Sequence, residues 1–142
     1  LAMALFGASC GIANAYMYGI NENYNPTGYP VQLFENVNLC YTWMGGGHYM
    51  EEKSAKIISQ EGDVYVISAD FINYNKERGE LVPKKGITYK FDSSTHTVYF
   101  TTDSGEEHAI APKSDGTAQV EYRAMSEAKQ MWHAVMGTDW DW

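Results

Sequence analysis

Apolar and polar residues alternate along much of the chain between residues 31 and 112, and this alternation predicts β-strands. The clearest run is "DVYVISADFINYN", residues 63–75, where one face carries Tyr65, Ile67, Ala69 and Phe71. Period-two alternation with one apolar face is typical of antiparallel sheets. Similar runs occupy 31–43, 54–59, 87–92, 95–102 and 108–112. Most of the connections are short, so strands adjacent in sequence should pair.

The periodicity changes once, near the C-terminus, from that of a strand to that of a helix. In "MSEAKQMWHAVMG" the apolar residues fall at i, i+3, i+4 and i+7, and Ser126 precedes them as a candidate N-cap with Glu127 beside it. Gly137 suits the end of the helix. We therefore predict an α+β fold, with an antiparallel sheet of about five or six strands and one C-terminal helix packed on one face.

Three stretches predict irregular structure. Residues 16–30 are rich in glycine, proline and asparagine and predict an irregular leader. The run "WMGGGHYMEEKS", residues 43–54, predicts a flexible loop, and the charged run "KERGELVPKKG", residues 76–86, predicts a connection. With no internal repeat, residues 31–142 are expected to form one domain.

The apolar N-terminus predicts export. Residues 1–12 have the length of a signal-peptide core, and Ala13-Asn14-Ala15 is the small-x-small pattern of a cleavage site. Residues 1–15 are thus a predicted signal peptide, with Tyr16 starting the mature chain in the periplasm, at the cell surface or outside the cell. Lipidation of Cys10, a membrane anchor and a retained N-terminal strand or helix are the alternatives.

Charge and cysteine content narrow the possible partners. The formal net charge is −8, which disfavours electrostatic binding to nucleic acid or to an anionic membrane. A protein or an envelope component is the expected partner. Cys40 is interpreted as a small buried apolar residue, and a disulfide with Cys10 is possible only if Cys10 is retained.

Motifs for catalysis, metal binding and cofactor binding are missing from the sequence. The four histidines have no metal-ligand spacing, and there is no nucleophile elbow, phosphate loop or dinucleotide fingerprint. We predict no cofactor and no metal, and favour a non-enzymatic protein.

Aromatic residues make up 14% of the chain and are the remaining candidates for binding contacts. Two groups are candidate contacts: Trp43, His48 and Tyr49 around the glycine run, and Trp140 and Trp142 at the end. The final two tryptophans either fold back to cover the sheet edge or form an exposed hydrophobic contact for a partner.

A resemblance supports the envelope location. The order of "GGHYMEEKSAKI", "DVYVISADFINYN", "ITYKFD", "TVYF" and "MSEAKQMWHAVMG" is similar to that in small exported bacterial envelope proteins of unknown function, and loosely resembles the surface-adhesin-E-like group. The resemblance covers most of residues 43–137. It implies a sheet with a helix, and contact with host or matrix. The cysteine content departs from this resemblance, because Cys40 by itself cannot form a disulfide within the domain.

The leading hypothesis is an exported, non-enzymatic domain that acts through an interaction surface. One alternative is self-assembly, in which a retained apolar N-terminus adds as a strand to the sheet edge of a neighbouring copy. Another is a small envelope hydrolase with its site at Gly45–Gly47.

Overall fold

In the part of the chain that the structure describes, the fold consists of a seven-stranded antiparallel sheet and a C-terminal helix. The computed structural model describes residues 28–110 and 119–142, so the predicted signal peptide 1–15, with Ala13, Ala15 and Tyr16, lies outside the described residues, as does Cys10. The strands lie side by side in chain order. The elements are β1 (Gln32–Phe34), β2 (Val37–Trp43), β3 (Gly46–Glu61), β4 (Val64–Asn75), β5 (Glu80–Asp92), β6 (Thr97–Thr101), β7 (Glu107–Ile110) and α1 (Gln119–Met136).

The expected strand count of five or six is wrong, and the fold is mostly β. The run 31–43 is two strands rather than one, because the chain reverses at Glu35–Asn36. Asn36 has φ of 63°, a left-handed conformation that asparagine adopts more readily than most residues. The run of branched and aromatic residues hides this turn.

The connection predicted at 76–86 is also wrong in its second half. Only residues 76–79 connect β4 to β5, and β5 begins at Glu80. Residues 80–84 pair in continuous register with β4, from Glu80 opposite Asn75 to Lys84 opposite Phe71. This part of β5 is held in the sheet by backbone pairing, and its side chains are exposed. Its sequence therefore lacks the alternation of apolar and polar residues that predicts a strand.

Irregular register bends the middle of the sheet. The pairing of β3 with β4 shifts between Glu51 and Lys56, and that of β4 with β5 shifts between Ala69 and Phe71. Asp70 links both irregularities: its N–H donates to Ser54 Oγ at 2.7 Å, and its Oδ1 accepts the Gly86 N–H at 2.9 Å. Bulges of this kind bend the strand and increase its twist.

The helix ends where the sequence predicts but begins earlier. Gly137 has φ of 76° and its N–H donates to the His133 carbonyl at 2.8 Å, as expected of a C-terminal glycine. The proposed cap Ser126 lies inside the helix, where its Oγ donates to the Cys40 carbonyl at 2.7 Å. Among the described residues, no helix is long and apolar enough to cross a membrane.

Each face of the sheet contributes to a buried cluster. The larger cluster lies under α1, and its most buried members are Cys40, Ile67, Phe71, Phe91, Val98, Met125, Ala128 and Met131. The smaller cluster covers part of the opposite face and contains Tyr29, Val37, Leu39 and Tyr49. The helix therefore packs on one face, as predicted.

Candidate functional site

The five aromatic candidates occupy different environments. His48 and Tyr49 are buried, at 3% and 0% exposure, on opposite faces of β3. Trp43, the last residue of β2, is half-buried. Trp140 folds back into the larger cluster at 6% exposure, and half-buried Trp142 packs against it. Of the two arrangements that the sequence left open for Trp140, the structure therefore shows the folded-back one.

The glycine run forms part of a hairpin and is not a loop. β2 ends at Trp43 and β3 begins at Gly46, so only Met44 and Gly45 connect them. A Cβ at Gly45 would overlap Trp43 Nε1, and one at Gly47 would lie 2.8 Å from the Tyr29 ring. The glycines are needed because aromatic rings pack directly against the backbone here.

A buried polar cluster joins this hairpin to the helix. His48 Nε2 lies 2.6 Å from Glu127 Oε2, Tyr89 donates its hydroxyl proton to Glu127 Oε1, and His48 Nδ1 is hydrogen-bonded to Asn73 Oδ1. The imidazole is stacked on Phe71, with ring centroids 4.7 Å apart and planes 6° apart. Buried polar groups satisfied in this way fix the geometry around them.

The cluster positions the helix and does not face solvent. Glu127 is 8% exposed and His48 is 3% exposed, so both groups are largely shielded from solvent by the described residues. Next to it, Gln130 Nε2 donates to the Leu39 carbonyl at 2.9 Å. In the described part of the chain, no three His, Cys, Asp or Glu side chains are arranged to hold a metal ion.

Burial also governs the nearby thiol and phenols. Desolvation raises the pKa of the Cys40 thiol, and so does the charge of Glu127. The same two causes raise the pKa of Tyr41 and Tyr89, and desolvation raises that of Tyr49. A raised thiol pKa suppresses the thiolate, which is the nucleophilic form.

The raised phenol pKa values predict a loss of stability in alkali. A phenol whose pKa is raised on folding contributes stability that is complete below its unfolded-state pKa, about 10, and that is lost as pH rises further. We therefore expect the free energy of unfolding to fall steeply above about pH 10. Urea unfolding from neutral pH to about pH 11 tests this. Tyr49→Phe, which removes one such phenol, should make the fall shallower, whereas an unchanged free energy in alkali would contradict the packing described.

The first half of β5 is exposed and forms a free edge of the described sheet. β6 pairs only with Tyr89–Asp92 of β5. Residues 80–84 and 87–88 pair with β4 on one side, with a bulge at Lys85 and Gly86 between them, and no strand among residues 28–110 and 119–142 pairs with the other side of this stretch. Backbone N–H and C=O groups along such an edge are a template for another strand.

A groove borders this edge on each face of the sheet. The helix-face groove has a volume of about 240 Å³ and is lined by Trp43, Asn73, Asn75, Glu80, Val82 and Lys84, among others. The outer-face groove, of about 380 Å³, is lined by residues that include Val66, Gly86, Thr88, Lys90, Thr101 and Glu107. Side chains of an added strand would point alternately to the two faces.

Other edges in the described sheet suit an added strand less well. β1 and β7, at its two sides, have three and four residues. The stretch of β3 beyond Glu51 is also free of β2, but register shifts interrupt it on both sides of Lys56 and Ile57. Short and bulged edges resist further pairing. Among these edges, residues 80–84 of β5 combine length with regular register.

No protein-family model, curated protein or solved structure matches this chain significantly. The predicted resemblance to envelope proteins therefore stays a prediction, and the β5 edge and its two grooves are the basis for the proposals below.

Sequence reasoning found part of this region and missed the rest. It selected Trp43, which lines the helix-face groove. It missed the β5 edge because residues 80–86 were interpreted as a connection. It also placed Glu127 at the start of a helix, whereas this residue is buried between helix and sheet. The spacing of Glu127 and Met131, i and i+4, was the available indication that both share the buried face.

Proposed function

We propose that this chain is an exported, non-enzymatic binding domain that accepts an extended polypeptide strand along the free edge of β5. The main support for this proposal is that no described strand pairs with the outer side of residues 80–88 of β5. The grooves that border this edge on both faces of the sheet support the same function.

Backbone groups would supply much of the affinity. Pro83 lies opposite Ile72 on β4. Because proline has no N–H, it donates no backbone hydrogen bond to β4 at this position. By the alternation of antiparallel pairs, the N–H and C=O of Leu81 face the same side as the Pro83 carbonyl, away from β4. An added strand therefore finds one donor, the Leu81 N–H, and two acceptors, the carbonyls of Leu81 and Pro83.

The grooves would supply selectivity. Strand addition gains specificity from pockets that receive alternate side chains. Trp43 and Val82 give the helix-face groove an apolar contact, and Val82 is 48% exposed. Because Trp43 is packed against Gly45, its ring is held in place before a ligand arrives.

Peptide selection with a backbone control tests this proposal. Random peptides of about ten residues are selected by display against the full chain, and the best binder is then synthesised with N-methyl groups at every second residue. The N–H groups of successive residues point to opposite edges of an extended peptide, so methyl groups at every second residue block one edge only. Two peptides, one methylated at the odd positions and one at the even positions, therefore form a matched pair. Each lost hydrogen bond costs about 0.5–1.5 kcal/mol, and two or three are lost together.

We expect one methylated peptide to bind at least about tenfold more weakly and the other to bind like its parent. Equal affinity of both methylated forms would overturn strand addition, and so would the failure of selection to yield any binder. Fluorescence anisotropy measures all three affinities in the same buffer.

A further inference from the structure

We infer that the strand taken up by β5 is acidic, with an apolar side chain directed into the helix-face groove. This inference rests on the proposed function and specifies the chemistry of its ligand. It follows from the distribution of charge around the edge.

The edge is basic although the chain is acidic. Residues 76–90 contain five lysines and arginines and two glutamates, while the formal net charge of the chain is −8. Three of the five basic side chains face a carboxylate: Arg78 lies 3.9 Å from Glu80, Lys85 lies 3.7 Å from Asp70, and Lys90 lies 2.7 Å from Glu107. Lys84 and Lys85 are adjacent and exposed on β5. Lys85 Nζ lies 3.7 Å from Asp70 with its side chain 68% exposed, and Lys84 forms no ion pair with the described residues. The Lys84 ammonium group is thus open to a ligand, and the Lys85 side chain is largely exposed although Asp70 lies beside it.

The same charges oppose the pairing of two copies through this edge. A second β5 edge would bring the lysines of both copies close together, and like charges on adjacent strands repel. Lysines and a proline, here Pro83, are common devices against edge-to-edge pairing. A strand that carries carboxylates instead converts the repulsion into attraction and speeds association.

The position of the carboxylates on the ligand is also restricted. Glu80 stands at the start of the edge, so acidic side chains are favoured near Lys84 and Lys85 rather than near Glu80. An apolar side chain fits beside Trp43 and Val82, on the face that Lys84 shares. The inferred ligand is therefore an extended segment with adjacent carboxylates and one aliphatic or aromatic residue toward the Glu80 end.

Three synthetic peptides of about ten residues test the charge requirement. They share a threonine and valine background with one phenylalanine, and differ only at two adjacent central positions, occupied by glutamate, glutamine or lysine. We expect the glutamate peptide to bind about three- to tenfold more tightly than the glutamine peptide, since exposed ion pairs are individually weak. Raising the salt to about 0.5 M should remove most of the difference.

Charge-reversed variants locate the effect. The double variant Lys84→Glu with Lys85→Glu should prefer the lysine peptide to the glutamate peptide. The matched control is Lys53→Glu with Lys56→Glu, which makes the same change in net charge at exposed positions on β3 and should keep the original preference. Circular dichroism checks that both variants are folded.

The two proposals fail in different ways. Equal binding of the three peptides, together with sensitivity to N-methylation on one edge, overturns the acidic ligand and leaves strand addition standing. Binding that depends on charge but is insensitive to N-methylation overturns strand addition. A β3 variant that loses the preference overturns the assignment to β5. Concentration-dependent dimers that compete with the peptide would identify a second copy as the occupant and overturn the inference.

Discussion

Glu127→Ala is expected to lower the free energy of unfolding by about 3–5 kcal/mol, among the largest effects of any single substitution in this chain. Glu127 accepts the Tyr89 hydroxyl proton and lies 2.6 Å from His48 Nε2. Alanine removes the carboxylate that both groups contact, so the Tyr89 hydroxyl and His48 Nε2 are buried without a partner. It also opens a space between α1 and the sheet. Urea unfolding at neutral pH measures the loss.

Glu127→Gln is the matched control because it keeps the shape and most of the hydrogen bonds. Its carbonyl oxygen can accept from Tyr89, and its amide can donate to His48 Nε2 while His48 Nδ1 donates to Asn73. We expect this variant to lose about 1 kcal/mol or less. If alanine cost no more than glutamine, the cluster would not be what fixes the helix on the sheet.

Trp140→Ala is expected to lower the free energy of unfolding by about 3–5 kcal/mol. The indole is 6% exposed, and its centroid lies 4.7 Å from that of Trp132 and 5.3 Å from that of Phe91. Removing it deletes a large buried surface at a site where the surrounding rings cannot collapse fully. Thermal unfolding followed by circular dichroism measures the effect.

Two further variants separate packing from binding at the C-terminus. Trp140→Phe keeps an aromatic ring and should cost less than alanine, whereas Trp142→Ala should cost about 1 kcal/mol because Trp142 is only half-buried. If Trp140→Ala left the melting temperature unchanged and weakened peptide binding, Trp140 would be a binding contact and the packing described here would be wrong.

The elements visible in the sequence are those whose side chains are sorted by burial. β4 alternates because one of its faces lies under the helix, and the end of α1 is marked by Gly137. The turn at Glu35–Asn36 was missed because the residues on both sides of it belong to buried strands. Burial patterns therefore predicted the existence of the sheet and helix, but not every reversal of the chain.

The candidate site was less predictable because it depends on backbone pairing and on distant contacts. Residues 80–86 are polar and exposed, so only their register with β4 shows that they form a strand. Glu127 and His48 are 79 positions apart, and they meet only because α1 packs on the sheet. Trp43 was found because its neighbouring glycines are conspicuous, although their role is to make room for rings.

Amide hydrogen exchange at residues 80–88 tests strand addition most directly. In the free chain, the N–H groups of β5 that face away from β4, such as that of Leu81, should exchange rapidly, while those of the central part of β4 are protected. Saturation with the selected peptide should slow exchange at Leu81 and at the other N–H groups of this stretch that face away from β4, and leave the β3 edge unchanged. If the peptide binds and the exchange along β5 does not change, the ligand does not pair with this edge and the proposed function is wrong.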